Sequence, residues 1–230
     1  MATTLDSEPV AGTLERLYAQ AEGQVRRPRS DGPRPSGNAL PLSDTTQSPP
    51  LSSAQRRADD ASESFMAIGR DTGRLLYSLV RATRPTTVVE FGTSFGLSTI
   101  HLAAALRDNG GGHIHTTELS ASKVAAASAT FTDVGLADLI TVHAGDALET
   151  LADIPAPIDF VVLDGWKDLY LPVIRLLEPR LASGTLILAD NAESPDLADY
   201  LEHVRDPANG YTSVNLPGKV GDTVELSGRA

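Results

Sequence analysis

The sequence predicts an α/β fold, a doubly wound and mainly parallel sheet with helices on both faces. Three observations carry that prediction. After Pro85, short apolar runs rich in β-branched residues alternate with stretches of helical periodicity. The first run, Val88-Val89-Glu90-Phe91, enters Gly92-Thr93-Ser94-Phe95-Gly96, a glycine-punctuated strand-to-helix junction of the kind that lets backbone approach a ligand. The last two strand candidates flank Pro217-Gly218-Lys219-Val220-Gly221-Asp222, whose turn residues predict an antiparallel hairpin at the end of the sheet.

In chain order, residues 12–22 predict a short helix with Leu14, Leu17 and Tyr18 on one face. Residues 25–50 are rich in Pro, Ser and Gly, with Arg26, Arg27, Arg29 and Arg34 interspersed. That composition fits a disordered arm or a long loop closing over a site. Residues 53–84 carry Phe65, Met66, Ile68, Leu75, Leu76 and Leu79 at mixed helical spacings, interrupted by Gly69 and Gly73, and predict two helices. Strands are expected at 87–91, 113–117, 140–143, 160–163 and 185–189, and helices at 96–106, 120–134, 147–151 and 169–181. The terminal hairpin pairs 212–216 with 223–226. The expected division is an amino-terminal extension over 1–52 and one globular domain over 53–230.

Composition narrows the function classes. The 230 residues are long enough to bury a substantial core, and 41% hydrophobic with 21% charged residues is ordinary for a globular protein. A formal net charge of -11 argues against a nonspecific nucleic-acid binder. With no cysteine there is no disulfide framework and no thiolate chemistry. The amino terminus lacks a basic start followed by an apolar run, and no stretch is long enough to span a bilayer, so a cytoplasmic protein is expected.

In an open α/β sheet, ligands bind beyond the carboxyl ends of the strands. The first such end offers Gly92 and Gly96 with the hydroxyls of Thr93, Ser94 and Ser98; the second offers Glu118, a carboxylate suited to ribose hydroxyls; the third offers Gly145-Asp146-Ala147. The junction lacks the G-x-G-x-x-G spacing of dinucleotide sites and the Gly-Lys-Ser/Thr of a P-loop. An adenosyl ligand without phosphate fits better, and a turn that merely joins strand to helix is the bland alternative. The later strand ends supply Asp164, Asp190 and Asn191, a hard oxygen set suited to Mg²⁺. Single strand-end acids often only cap helices, and a carboxylate site without metal stays open at this point. Lys167 follows in Asp164-Gly165-Trp166-Lys167-Asp168 and reads either as a general base near that rim or as a solvated lysine. Trp166, the only tryptophan, either stacks on an adenine ring or fills a core gap. The five histidines show no His-Glu-x-x-His spacing, and no Gly-x-Ser-x-Gly elbow supports hydrolysis.

Taken together, these motifs resemble class I S-adenosylmethionine-dependent methyltransferases, specifically the small metal-dependent O-methyltransferases that act on catechols. The resemblance runs from about Met66 through Asn191 and more weakly into the hairpin. It implies a Rossmann-like methyltransferase fold whose seven-stranded, mainly parallel sheet ends in a reversed strand. It also implies that Glu90, Gly92, Ser94 and Gly96 belong to the first cofactor motif, with Ser98 at the cofactor's carboxylate and Met66 and Ile68 beside its methionine part. Glu118 corresponds to the ribose acid, Gly145, Asp146 and Ala147 to the adenine-side turn, and Asp164 and Trp166 to further cofactor contacts. Asp164, Asp190 and Asn191 match the ligands of Mg²⁺ or another divalent cation, and Lys167 matches the catalytic lysine. The implied reaction is direct methyl transfer to a hydroxyl of a small, aromatic, catechol-like molecule. Family members use amino-terminal helices as a lid or dimer contact, so a homodimer is one expectation. No substrate-gripping acid is assigned beyond the metal set, and Phe65 and Tyr170 are the expected aromatic walls. Two alternatives remain: an adenosylmethionine-dependent N- or C-methyltransferase of secondary metabolism, and a noncatalytic adenosyl-ligand sensor or partner-binding module.

Overall fold

The computed structural model describes residues 2–25, 53–219 and 221–230. Beyond Val25, the Pro/Ser-rich arm with its four arginines lies outside the described residues. The helices are α1 (Val10–Val25), α2 (Ser53–Asp60), α3 (Arg70–Thr83), α4 (Leu97–Asn109), α5 (Ala121–Asp133), α6 (Ala147–Thr150), α7 (Tyr170–Leu177) and α8 (Ala198–Arg205). The strands are β1 (Thr87–Phe91), β2 (His113–Glu118), β3 (Ile140–Ala144), β4 (Ile158–Leu163), β5 (Leu181–Asp190), β6 (Tyr211–Pro217) and β7 (Thr223–Arg229).

The strands form one seven-stranded sheet in the order β3-β2-β1-β4-β5-β7-β6. The first five are parallel neighbours, and β7 runs antiparallel to both β5 and β6. The expected Rossmann-like sheet with its terminal hairpin is therefore what the chain builds. Its order reverses at β1, where β2 lies on one side and β4 on the other. That reversal opens a crevice at the carboxyl ends of β1 and β4, and a ligand fits there.

Side chains alternate across the sheet, so each central strand feeds two cores. Val88, Phe160, Val162 and Leu188 pack on one face with α1, α3, α4 and Phe131 of α5. Val89, Val161, Leu163 and Ile187 pack on the other with α6, α7 and α8. Both faces are thus sealed, which explains why these strands read as largely apolar runs, interrupted in β1 by the buried Glu90. Helix α1 joins the first core through Val10, Leu14, Leu17 and Tyr18. The chain before it is tied to α4, where Asp108 accepts hydrogen bonds from the Thr4 amide at 3.0 Å and from the Tyr77 hydroxyl at 2.6 Å.

Three local expectations are refined. The apolar cluster Phe65-Met66-Ile68 is not helical; it lies in the segment between α2 and α3. Gly69 sits in extended backbone at the start of α3, and the Phe65 ring stacks on Phe95 at 4.1 Å between centroids. Gly73 does not interrupt the helix: it is buried inside α3, where a Cβ would lie 2.7 Å from the His101 ring. The helix expected over 169–181 is α7 flanked by two short 3₁₀ turns, and Pro179 lies in the second.

Candidate active site

Gly92 holds the crevice in shape. Its φ is +103°, and a Cβ there would lie 2.7 Å from the carbonyl oxygen of Asp164, so only glycine lets the ends of β1 and β4 approach this closely. The Asp164 amide donates to the Phe91 carbonyl at 2.9 Å, continuing the strand pairing into the turns. Gly96 serves a different contact: at φ +86° it opens α4, and a Cβ would lie 2.5 Å from the Phe131 ring of α5. Ser94 holds a positive φ of 47° without being glycine, a strained conformation at the crevice mouth.

Glu118 ties the first two strand-end turns together, accepting from the Ser94 amide at 2.9 Å and the Ser120 amide at 2.8 Å. The third turn joins them through the Gly145 amide, which donates to the Glu118 carbonyl at 3.0 Å. Asp146 caps α6 by accepting from the Leu148 amide at 2.8 Å. Met66, Gly92, Ser94, Glu118, Gly145, Asp146, Ala147, Asp164 and Trp166 all line one cavity here. Ile68 and Ser98 line a smaller pocket beside it, together with Met66, Gly92, Ser94 and Asp164. Glu90 lies beneath the turn and is fully buried, its Oε2 accepting from Thr99 and Thr116 at 2.6 Å each. Its Oε1 makes no hydrogen bond. Burial pushes the Glu90 pKa upward, and the surrounding hydroxyls pull it back.

The acidic residues meet on the same rim. Lys167, in the 3₁₀ turn before α7, brings its Nζ to 3.4 Å from Asp164 Oδ1 and donates to the Tyr170 hydroxyl at 2.7 Å. Tyr170 is fully buried and donates in turn to the Asp190 carbonyl at 3.2 Å. Asn191, at a positive φ of 62°, donates its amide nitrogen to Asp222, leaving the amide oxygen as an acceptor. Burial raises the Asp164 and Asp190 pKa values; Lys167 and Lys219 oppose the rise, and for Asp164 the charge of Asp190 adds to it. Two buried carboxylates beside an amide oxygen form a hard, oxygen-only donor set that a divalent cation would neutralise, so the residues fit such an ion. Among the described residues no three His, Cys, Asp or Glu side chains cluster as a metal centre; this set holds two such residues, both Asp, and its third member is an Asn. A second cavity, about 900 Å³, opens over Lys167 and Asn191, with Phe65, Arg57 and Lys219 around it. Asp164, Gly165, Trp166 and Met66 line both cavities and form their common wall.

The sequence reading assigned no role to several residues found here. Arg57 of α2 lays its guanidinium over the Trp166 ring at 4.8 Å and pairs with Asp168 at 3.0 Å. Lys123 is almost fully buried, lines the first cavity and holds its ammonium 5.5 Å from the Phe95 ring. Burial lowers its pKa, against the attraction of Glu118. Lys219 reaches Asp190 from the β6–β7 turn. The chain has only three lysines (Lys123, Lys167 and Lys219), and all three sit at this crevice; that scarcity was the available signal.

Comparison with known proteins agrees with this geometry. A family model described as "Methyltransferase domain" matches residues 89–192. Catechol O-methyltransferase of Sus scrofa is 34% identical over 150 residues, covering 62% of this chain and 80% of that protein. Catechol O-methyltransferase B of Danio rerio is 33% identical over 148 residues, covering 61% of this chain and 55% of its own length, so the match spans little more than half of that longer protein. The O-methyltransferase TomG of Streptomyces achromogenes, solved in complex with SAM, superposes with a TM-score of 0.65 at 25% identity, covering 79% of this chain and 91% of that one. Among the described residues no helix is long and apolar enough to cross a membrane. The chain belongs to the class I S-adenosylmethionine-dependent methyltransferases, as a relative of the catechol O-methyltransferases.

Proposed function

We propose that the protein transfers the methyl group of S-adenosylmethionine to a hydroxyl of a small catechol-like molecule with the help of a divalent cation. One observation carries the reading: the cavity rimmed by the three strand-end turns shares the wall Asp164–Trp166 with the cavity over Lys167 and Asn191. Donor and acceptor would meet across that wall. The names of the pig and zebrafish relatives support catechols as the substrate class.

Each residue's task follows from its surroundings. Glu118 spends two lone pairs on the Ser94 and Ser120 amides and, as an ionised carboxylate, keeps others for ribose hydroxyls. Glu90, beneath the turn, would face the cofactor's ammonium, and Ser94 and Ser98 at the smaller pocket would hold its carboxylate. Met66 and Ile68 would border the methionine part, and Gly145, Asp146, Ala147 and Trp166 the adenine. S-adenosylmethionine, when bound, supplies an electrophilic methyl group. Asp164, Asp190 and Asn191 would hold the cation, which supplies Lewis-acid polarisation of the acceptor hydroxyl. Lys167 would take the hydroxyl proton as the neutral amine, or stabilise the oxyanion left behind as the ammonium, and the buried Tyr170 hydroxyl fixes where its nitrogen points. The shared wall would orient the reacting groups toward each other.

The test mixes purified protein, labelled S-adenosylmethionine and a catechol panel with and without Mg²⁺. Methylated product that vanishes on chelation and returns with metal is the expected outcome. Turnover unchanged after thorough chelation would sink the metal-assisted mechanism.

A further inference from the structure

Both carboxylates of the rim already carry an ammonium group, and the two ammoniums are held differently. Lys167, on Asp164, is anchored by Tyr170 and its side chain is 22% exposed. Lys219, on Asp190, comes from the turn between β6 and β7, which two backbone hydrogen bonds close: Gly218 to Asp222 at 3.1 Å and Asp222 to Lys219 at 2.9 Å. The base of its side chain lies against Gly69, where a glycine Cβ would meet Lys219 Cβ at 3.3 Å. Its Nζ lies 3.5 Å from Asp190 Oδ2 and 3.8 Å from Asp222 Oδ2, yet the side chain is 41% exposed. Asp190, by contrast, is 1% exposed.

We propose that Lys219 is a tethered competitor for the divalent cation at Asp190. The inference rests on the reading of Asp164, Asp190 and Asn191 as metal ligands. Asp190 Oδ2 is the oxygen Lys219 holds, and a magnesium-sized ion on that oxygen would sit about 2 Å from it. An ammonium and a divalent cation cannot share so short a reach without strong repulsion. Lys219 must therefore leave Asp190 when the metal enters. Its half-exposed side chain has an open path to solvent, whereas Lys167 stays pinned by Tyr170. The β6–β7 turn thus sets the metal affinity of the site: it lowers that affinity and keeps the buried carboxylate compensated while no metal is held.

The test titrates the purified full-length chain with Mn²⁺ in the absence of donor and acceptor, reading free ion by electron paramagnetic resonance. Wild type is compared with Lys219→Met and Lys219→Arg, with melting curves to establish that each is folded. Lys219→Met should bind Mn²⁺ at least tenfold more tightly, and Lys219→Arg, which restores the charge, should stay close to wild type. Equal or weaker binding by Lys219→Met overturns the proposal. Asp190→Asn separates the two readings. If Asp190→Asn abolishes Mn²⁺ binding while Lys219→Met matches wild type, the ligand set stands and the competitor role fails. If none of the folded proteins binds Mn²⁺, both fall together.

Discussion

Replacing Tyr170 by Phe removes one oxygen and leaves the ring in place. That oxygen is buried between Lys167 Nζ at 2.7 Å and the Asp190 carbonyl at 3.2 Å. The bond to the carbonyl is neutral and contributes about 1 kcal/mol, and the bond from the ammonium about 1.5–3 kcal/mol. Lys167 is 22% exposed and regains some solvation, which discounts the second figure. The aromatic packing survives, because the ring's edge contacts with Phe91 and Tyr200, at 6.1 Å and 5.7 Å between centroids, need no hydroxyl. The expected loss of stability is therefore about 2 kcal/mol, read as a lowered urea midpoint at unchanged slope. Methyl transfer should suffer as well, because Lys167 loses the contact that aims it. Single-turnover rates should drop about tenfold, with the calorimetric affinity for S-adenosylmethionine unchanged. If Tyr170→Phe matches wild type in both stability and rate, the relay Lys167–Tyr170–Asp190 has no role in the site.

Lys167→Ala should depress turnover about a hundredfold or more while leaving cofactor binding intact; equal turnover would reject its chemical role. Gly92→Ala must place a Cβ 2.7 Å from a backbone oxygen at φ +103°, so a loss of about 3 kcal/mol and weakened cofactor binding are expected; wild-type melting would show that the close approach is not needed. His101 is 3% exposed, and burial lowers its pKa to about 4 while its Nδ1 bonds the Leu97 carbonyl. The unfolded chain then binds this proton at higher pH than the folded one, so the contribution is full above pH ~6.5 and is lost as pH falls towards ~4, about 3 kcal/mol in all. His101→Gln should flatten that part of the stability profile, and an unchanged slope would assign the loss elsewhere. Arg205→Ala would strip the buried Glu225 of two hydrogen bonds, at 2.6 Å and 2.7 Å, leaving it the one from Asn215, and with Arg205 half exposed should cost about 2 kcal/mol by denaturation, more than Glu225→Gln. Equal losses would contradict a penalty for the unpaired charge.

The parts of this molecule that local chemistry decides were readable in the chain. Strands β4 and β5 were visible because burial on both faces demands an almost continuous apolar run, whereas β2 and β3 showed through their β-branched residues and through their place between helices. Hairpin β6–β7 was visible because its turn needs glycine and proline. What escaped depends on which atom comes to rest against which. Phe65, Met66 and Ile68 have helical spacing, but the Phe65 ring is claimed by Phe95, and a segment that must lie across a strand-end turn cannot also wind into a helix. Gly96 has the look of a residue cleared for a ligand, yet the atoms that would clash with its Cβ belong to Phe131. Lys219 stands in a turn that sequence reads as surface, and only the antiparallel return of β7 beside β5 carries that turn over Asp190. The cations around the acidic rim thus come from three separate places: α2 with Arg57, the turn after β4 with Lys167, and the final hairpin with Lys219. No motif spans that distance. The acids that need compensating stand at the carboxyl ends of strands β4 and β5 and are fixed by the fold, whereas Lys167 and Lys219, which compensate them, come from turns, where chemistry can change without disturbing either core.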